Sequence, residues 1–367
     1  MKKILFIQDA LYGGGVERIT IDIAKKFIDL GYKVSYAILD SSNIGMQLPK
    51  EVKQINIDVD SYFMSGNLWR NKNKILDKNK QEEIQNIIKT MNPDLLLIGH
   101  YRSLWLSTFI EHPNTWYWIH GDIIHLEEKK TNNLFRYIKE KRRIYIERKI
   151  FNNLFHNKNI LVVNHDIKNT YKKYNPNIKI KCIPNGIDIN RLISSIPDIT
   201  EKIWDTIFVG RLSKEKQPEI SLIAFAKSGL NGRMAFVGDG DLLESLKQLA
   251  HTLNIENRID FLGWKENPAA YIKQSKTLIL SSLTEGSPLV IAESISLNVP
   301  VIAFNCSSGI RYQLNSMELQ KGLVEPQNIE KLAQKLFEIT HSPYQITEED
   351  KLRLTIDHMF NEFLNIL

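Results

Sequence analysis

The chain has 367 residues, 43% hydrophobic and 25% charged, with nothing of the bias that marks disordered or fibrous proteins. That length suits two domains, each large enough for its own core. Its two cysteines, Cys182 and Cys306, provide neither a disulfide framework nor a thiolate zinc site, and no apolar run approaches the roughly 18 residues of a membrane span.

The opening Met1-Lys2-Lys3-Ile4-Leu5-Phe6-Ile7 imitates a signal peptide, but its apolar run stops at Gln8-Asp9, so it predicts a first strand, in a protein that is cytoplasmic or attached only at the surface of the cytoplasmic membrane's inner face. A loop containing Gly13, Gly14 and Gly15 follows, then a helix over 16–30 that Gly31 ends. Strand, glycines and helix in that order bring backbone N–H groups close to a phosphate, although a tight structural turn reads the same way. A strand over 33–39 is followed by a polar region to residue 80 with no clear period. Next come a helix over 81–91, a buried strand over 94–98, a helix near 103–110 and a strand over 116–119 whose end carries His120-Gly121-Asp122. Polar groups at a strand's carboxyl end are where open α/β sheets keep their chemistry, though a structural histidine is an alternative.

The net charge of +6 is unevenly spread: residues 1–190 hold 30 basic against 20 acidic side chains, the remainder 18 against 22. Much of the excess lies in 129–158, where Arg136, Lys139, Lys141, Arg142, Arg143, Arg148 and Lys149 interleave with aromatic and aliphatic residues. The segment predicts a long helix with one apolar and one cationic face. It is either a solvated outer helix or a surface that holds the protein against anionic lipid, each basic residue contributing about 1 kcal/mol near the bilayer. No nucleic-acid-binding motif accompanies the charge.

A strand over 160–163, a helix over 165–174 and a strand over 178–183 complete a doubly wound domain, 1–188. Pro184-Asn185-Gly186-Ile187-Asp188 breaks the alternation and opens a linker, 189–202. A second series, 203–345, starts with a strand over 204–209 and the loop from Gly210 to Lys216. Helices over 218–228, 242–253 and 268–274 alternate there with strands over 233–237 and 258–262. A helix over 329–340 ends that domain, and a last helix within 346–367 is expected to pack back on the first.

Residues 278–304 carry the strongest signal, reading strand, loop, helix, strand. Ser287 suits an N-cap and Pro288 the first helical position, while Asn298 and Pro300 stop the helix. The helix N-terminus attracts an anion. Glu285 and Glu293 frame it, and two carboxylates would repel bare phosphate, so the ligand should carry hydroxyls as well as phosphate. A nucleotide sugar fits.

The glycine loop at 13–15, Trp118-Ile119-His120-Gly121, Ile183 to Asp188, Val209-Gly210-Arg211-Leu212 with Lys216, Val237-Gly238-Asp239-Gly240, Phe261-Leu262-Gly263 and Glu285 to Glu293 together resemble the retaining glycosyltransferases of family 4. The resemblance covers almost the whole chain. It implies an α/β GT-B fold, with two Rossmann-like doubly wound domains facing an interdomain cleft, the acceptor on the first domain and the nucleotide-sugar donor on the second. It implies that Arg211 and Lys216 hold the donor diphosphate, that Glu285 bonds hydroxyls of the transferred sugar, that Glu293 holds the ribose, and that His120 orients the donor sugar. Backbone N–H groups of Gly14, Gly15, Ser287 and Leu289, with Gly286 and Pro288 shaping the loop, complete the cradle.

The implied reaction moves a hexose or N-acetylhexosamine from a UDP-sugar to a lipopolysaccharide or other bacterial surface glycan, with retention and without metal. Asp239-Gly240-Asp241 could suggest a metal, but it lies between strand and helix where Asp241 suits an N-cap, and Arg211 with Lys216 supplies the positive charge. Ser287-Pro288 departs from the aromatic residue and glycine common in the family. A nucleotide-sugar 2-epimerase and a non-catalytic nucleotide-sugar-binding subunit are the alternatives. A glycosidase would leave Arg211 and Lys216 without a role.

Overall fold

The computed structural model describes residues 1–64, 76–128, 131, 133–196 and 201–367. They divide into two units, residues 1–184 with 360–367, and residues 185–359.

In the first unit β1 (Lys3–Gln8), β2 (Lys33–Ile38), β3 (Lys53–Asn56), β4 (Leu95–Gly99), β5 (Thr115–Ile119), β6 (Asn159–Val162) and β7 (Lys179–Cys182) form a parallel sheet in the order β3-β2-β1-β4-β5-β6-β7. Its central strands are apolar without interruption because both faces are covered. Leu5, Ile7, Leu96 and Ile98 pack into one layer. On the other face Phe6 meets Phe27 of the helix Gly15–Asp29 and Tyr36 of β2. The chain's last residues close that layer: Phe360 packs edge-on to Phe27 at 4.9 Å, and Phe363 to Trp118 at the same distance.

In the second unit β8 (Trp204–Val209), β9 (Met234–Val237), β10 (Ile259–Gly263), β11 (Ser275–Leu280), β12 (Val301–Phe304) and β13 (Leu323–Val324) form a second parallel sheet in the order β10-β9-β8-β11-β12-β13. Each sheet reverses its strand order once, between β1 and β4 and between β8 and β11. Helices leave in opposite directions there, opening a crevice beyond the carboxyl ends of the strands.

Several expectations need correction. The supposed linker 189–202 begins with a helix, Ile189–Ser194, whose first turn is capped by Asp188, and the division between units falls at 184/185 rather than after 188. The single C-terminal helix is two, Glu348–Leu352 and Ile356–Leu364, and only residues 360–367 belong to the first unit. The polar region before residue 80 contains β3 and the helix Ser61–Met64, and part of it, 65–75, lies outside the described residues. Asp241 is not an N-cap: the following helix, Leu243–Thr252, starts from Leu242, and Asp239 instead accepts the Gly240 N–H.

The basic segment folds as the helix Leu134–Phe155, with residues 129, 130 and 132 outside the described set. It does not separate apolar from cationic faces. Ile144, Ile150, Phe151, Leu154 and Phe155 are buried, whereas Leu134, Phe135, Ile138 and Tyr145 stand exposed among Arg136, Lys139, Arg142 and Lys149. Arg143 is drawn inward, donating to the carbonyls of His125 and Glu127 and to Glu140.

Candidate active site

At the reversal point of the second sheet the loops after β8 and β11 hold each other. Leu283 N–H donates to the Glu215 carbonyl at 2.9 Å, and Ser281 Oγ donates to the Gln217 carbonyl at 2.7 Å. Between these ties Lys216 Nζ lies 2.7 Å from both oxygens of Glu285, and Ser282 Oγ donates to Glu285 Oε1. Glu285 is 9% exposed, so its charge needs these partners; an unpaired carboxylate there would be strongly unfavourable. The ammonium has three N–H groups, and the carboxylate fixes its direction while leaving donor capacity. Arg211, exposed at the start of the same loop, has no hydrogen bond or ion pair of its guanidinium among the described residues. Glycine is required beside it: Gly238 has a φ of +140°, and any Cβ there would run into the Gly210 carbonyl.

The loop from Glu285 to Leu289 is braced from three sides. Asn185 donates its backbone N–H to Ser287 Oγ at 3.1 Å and its side-chain amide to the Ser287 carbonyl at 2.9 Å. Gln313 Nε2 donates to the Pro288 carbonyl at 3.0 Å, and Gly309 packs directly on the Gly286 carbonyl. The expected N-cap at Ser287 is therefore displaced. Ser287 Oγ is committed to Asn185, Pro288 at ψ 120° stays non-helical, and the helix runs Leu289–Ser296 with no side-chain cap on its first turn. Its leading N–H groups are not consumed by a capping side chain. Glu293 is buried within that helix, 5% exposed. Cys306, after β12, has its thiol pushed up to about 12 by burial and by Glu285, so it carries no thiolate chemistry.

Arg211, Lys216, Glu285, Gly286, Ser287, Pro288, Leu289 and Glu293 thus all belong to the second unit; Gly14, Gly15 and His120 belong to the first. Gly14 precedes the helix Gly15–Asp29, and the buried Glu17 in its first turn sets its carboxylate over Gly14. That helix N-terminus already has an acidic neighbour, so Gly14 and Gly15 are less suited to phosphate than the motif suggested. His120, beyond β5, lies against Trp118 with ring centroids 4.5 Å apart. Both its ring nitrogens are buried without a partner, and burial pushes the imidazole down to about 3, which keeps it neutral.

Sequence reasoning missed three groups at the reversal point of the first sheet, Gln8, Asp9 and His100. The Asp9 carboxylate accepts the N–H groups of Tyr101, Arg102 and Ser103 at 3.1, 2.7 and 2.6 Å. It fixes the turn in which His100 adopts a φ of +83°. Gly99-His100 at the end of β4 was the available signal, the mirror of His120-Gly121 after β5.

Two family models match the chain in succession, Glycosyltransferase Family 4 over residues 13–191 and Glycosyl transferases group 1 over residues 191–354. An uncharacterised glycosyltransferase of Haemophilus influenzae is 24% identical with both chains covered completely. An Escherichia coli UDP-Gal:alpha-D-GlcNAc-diphosphoundecaprenol alpha-1,3-galactosyltransferase is 31% identical over 179 residues, 44% of this chain and 46% of that one. An uncharacterised glycosyltransferase of Methanocaldococcus jannaschii is 33% identical over 144 residues, and the match covers 36% of each chain. Among solved structures, the lipopolysaccharide outer core galactosyltransferase WaaB superposes with a TM-score of 0.70 at 20% identity, covering 99% of this chain and 98% of WaaB. HepE of Anabaena in complex with UDP and glucose gives 0.74 at 17% identity, covering 100% and 99%. With two parallel Rossmann-like sheets in the GT-B manner and both halves matched by family models, the chain belongs to the family 4 glycosyltransferases.

Proposed function

We propose that this protein is a retaining glycosyltransferase that moves a hexose or N-acetylhexosamine from a UDP-sugar to a lipid-linked or lipopolysaccharide glycan. The observation that carries the reading is the Lys216–Glu285 pair at the reversal point of the second sheet, beside Arg211 and the uncapped helix start at Leu289. As the glycosidic bond breaks, negative charge grows on the departing diphosphate. Fixed cations and backbone dipoles placed where that charge develops stabilise the transition state more than the ground state.

Arg211 and Lys216 are assigned to the diphosphate, Glu285 to hydroxyls of the transferred sugar, and Glu293 to the ribose. His120 is assigned to the donor sugar. Glu285 has a second task, aiming Lys216. Because two side-chain cations supply the charge, the reading needs no metal, and transfer should persist in excess chelator. The relatives support a polyisoprenyl-linked or lipopolysaccharide acceptor, since those named act on diphosphoundecaprenol-linked and lipopolysaccharide glycans.

The membrane reading rests on the exposed face of the helix Leu134–Phe155, where Leu134, Phe135, Ile138 and Tyr145 stand among cations. Apolar side chains enter the head-group region while lysines and arginines meet anionic lipid. No helix of the described residues is long and apolar enough to cross a membrane.

Incubation with UDP-sugars and a diphosphoundecaprenol-linked or lipopolysaccharide acceptor, followed by product analysis, tests the reading. It expects an extended glycan with the anomeric configuration of the donor. An epimerised nucleotide sugar formed without acceptor would replace it with the epimerase.

A further inference from the structure

Three neighbouring strand ends in the first unit present polar atoms that the protein leaves unpaired. The register sets Gly99 opposite Trp118 and Ile7 opposite Ile98, so Gln8, Gly99 and Trp118 form one row across β1, β4 and β5. Gln8 is 1% exposed, yet neither its amide nitrogen nor its amide oxygen has a partner. The same holds for Nδ1 of His100, Nε1 of Trp118 and both ring nitrogens of His120. His100 Nδ1 is 4.0 Å from Asp9, outside hydrogen-bond reach.

The arrangement is built rather than accidental. Gly99 has no side chain where one would crowd Gln8: a Cβ would stand 2.9 Å from Gln8 Nε2 and 3.4 Å from Trp118 Cβ. His100 is held at a φ of +83°, uncommon for a residue with a side chain, by the three N–H groups gathered on Asp9. A core position needs none of this, and a leucine at Gln8 would avoid burying an unpaired amide. Polar atoms withheld from the protein at the reversal point of an open parallel sheet lie where such sheets bind ligands.

We propose that Gln8 and His100, beside His120, form a hydroxyl-reading floor for a sugar ring and act as positioning residues that decide which hexose the enzyme accepts. An amide offers one acceptor and two donors side by side, which matches a pair of vicinal hydroxyls; the indole adds a donor, and each imidazole adds further polar capacity. The amide and the indole carry no charge, so they suit hydroxyls rather than phosphate. Asp9 carries a charge, but it is occupied by backbone. The sugar belongs either to the donor or to the acceptor glycan. This inference rests on the glycosyl-transfer reading above and specifies its sugar site.

The test uses the full chain and two variants, Gln8→Leu, which keeps the volume, and His100→Asn, which tolerates positive φ. Binding is measured with UDP alone, with UDP-glucose, UDP-galactose and their N-acetylhexosamine counterparts for the donor arm, and with methyl glycosides of the same sugars for the acceptor arm. Both variants should keep UDP affinity within about twofold and lose about tenfold in sugar-dependent binding in one arm, and that arm identifies the source of the sugar. Gln8→Leu should melt no lower than wild type without ligand, because it removes an unpaired amide. Glycoside binding that depends on Gln8, in a chain that binds no nucleotide sugar, would keep this site and remove the donor reading. The inference is overturned if Gln8→Leu leaves both arms unchanged, or if wild type binds sugar in neither arm.

Discussion

Lys216 Nζ lies 2.7 Å from each carboxylate oxygen of Glu285, a contact that joins the loops after β8 and β11, the two strands between which the second sheet reverses. Removing the lysine takes the Lys216 ammonium from a carboxylate of 9% exposure, to which Ser282 Oγ still donates. Lys216→Met should destabilise the protein by about 1–3 kcal/mol, and adding Glu285→Gln should recover most of that loss while restoring no nucleotide-sugar binding. Denaturant melts of the single and double variants check this; equal stability of all three would show that the pair contributes nothing.

The Asn185–Ser287 tie holds the loop that opens the Leu289–Ser296 helix. Asn185→Ala should cost about 1–2 kcal/mol of stability, the range for losing a buried hydrogen bond, and should raise the donor KM more than it lowers kcat. A change in kcat alone would contradict a positioning role for this residue.

Glu147 gives the protein a pH dependence of known sign. It is 1% exposed on the helix Leu134–Phe155, and burial pushes its carboxyl up to about 7, although His125 and Arg143 pull it down. A carboxyl raised above its unfolded value of about 4.3 makes the folded state bind more protons, so stability falls as pH rises between those values. His125, raised by its hydrogen bond to Asp122, acts in the same direction. Glu147→Gln should therefore match wild type near pH 4 and melt at a higher temperature above pH 7. A constant difference across that range would remove Glu147 as the titrating group.

The exposed face of that helix predicts binding to vesicles containing anionic lipid. Charge reversal at Arg136, Lys139, Arg142 and Lys149 should abolish co-sedimentation, each residue contributing about 1 kcal/mol, and Phe135→Ser should weaken it at unchanged net charge. Arg143 must be left intact because it ties the 125–127 backbone to the helix. Sedimentation unchanged in both variants would assign the face to solvent.

The inner strands of both parallel sheets were legible in the sequence because strands buried on two faces are short apolar runs, and the polar groups after them mark the carboxyl ends; the edge strands β3 and β13 were not legible. Lys216 and Glu285 were legible as a loop and a helix start, but not as a pair. Their meeting depends on β8 and β11 becoming neighbours despite two intervening strands. Ser287 misled for a related reason: local preference makes it an N-cap, and only its long-range partner Asn185 takes that role away. His100 was missed because its φ is imposed by Asp9, more than ninety residues earlier in the chain. The terminal helix was expected to pack back on the first domain, but its contacts there, Phe360 on Phe27 and Phe363 on Trp118, were not legible.

Arg211 and Lys216 of the second unit are proposed to hold the diphosphate of a nucleotide sugar. Calorimetric titration of wild type, Arg211→Ala and Lys216→Ala with UDP and a panel of UDP-sugars tests it most directly. Saturable binding is expected for wild type, with a loss of about tenfold or more in each variant, the scale of one charge-assisted hydrogen bond. Wild-type affinity in both variants, or binding of none of the panel by the wild-type chain, would contradict it.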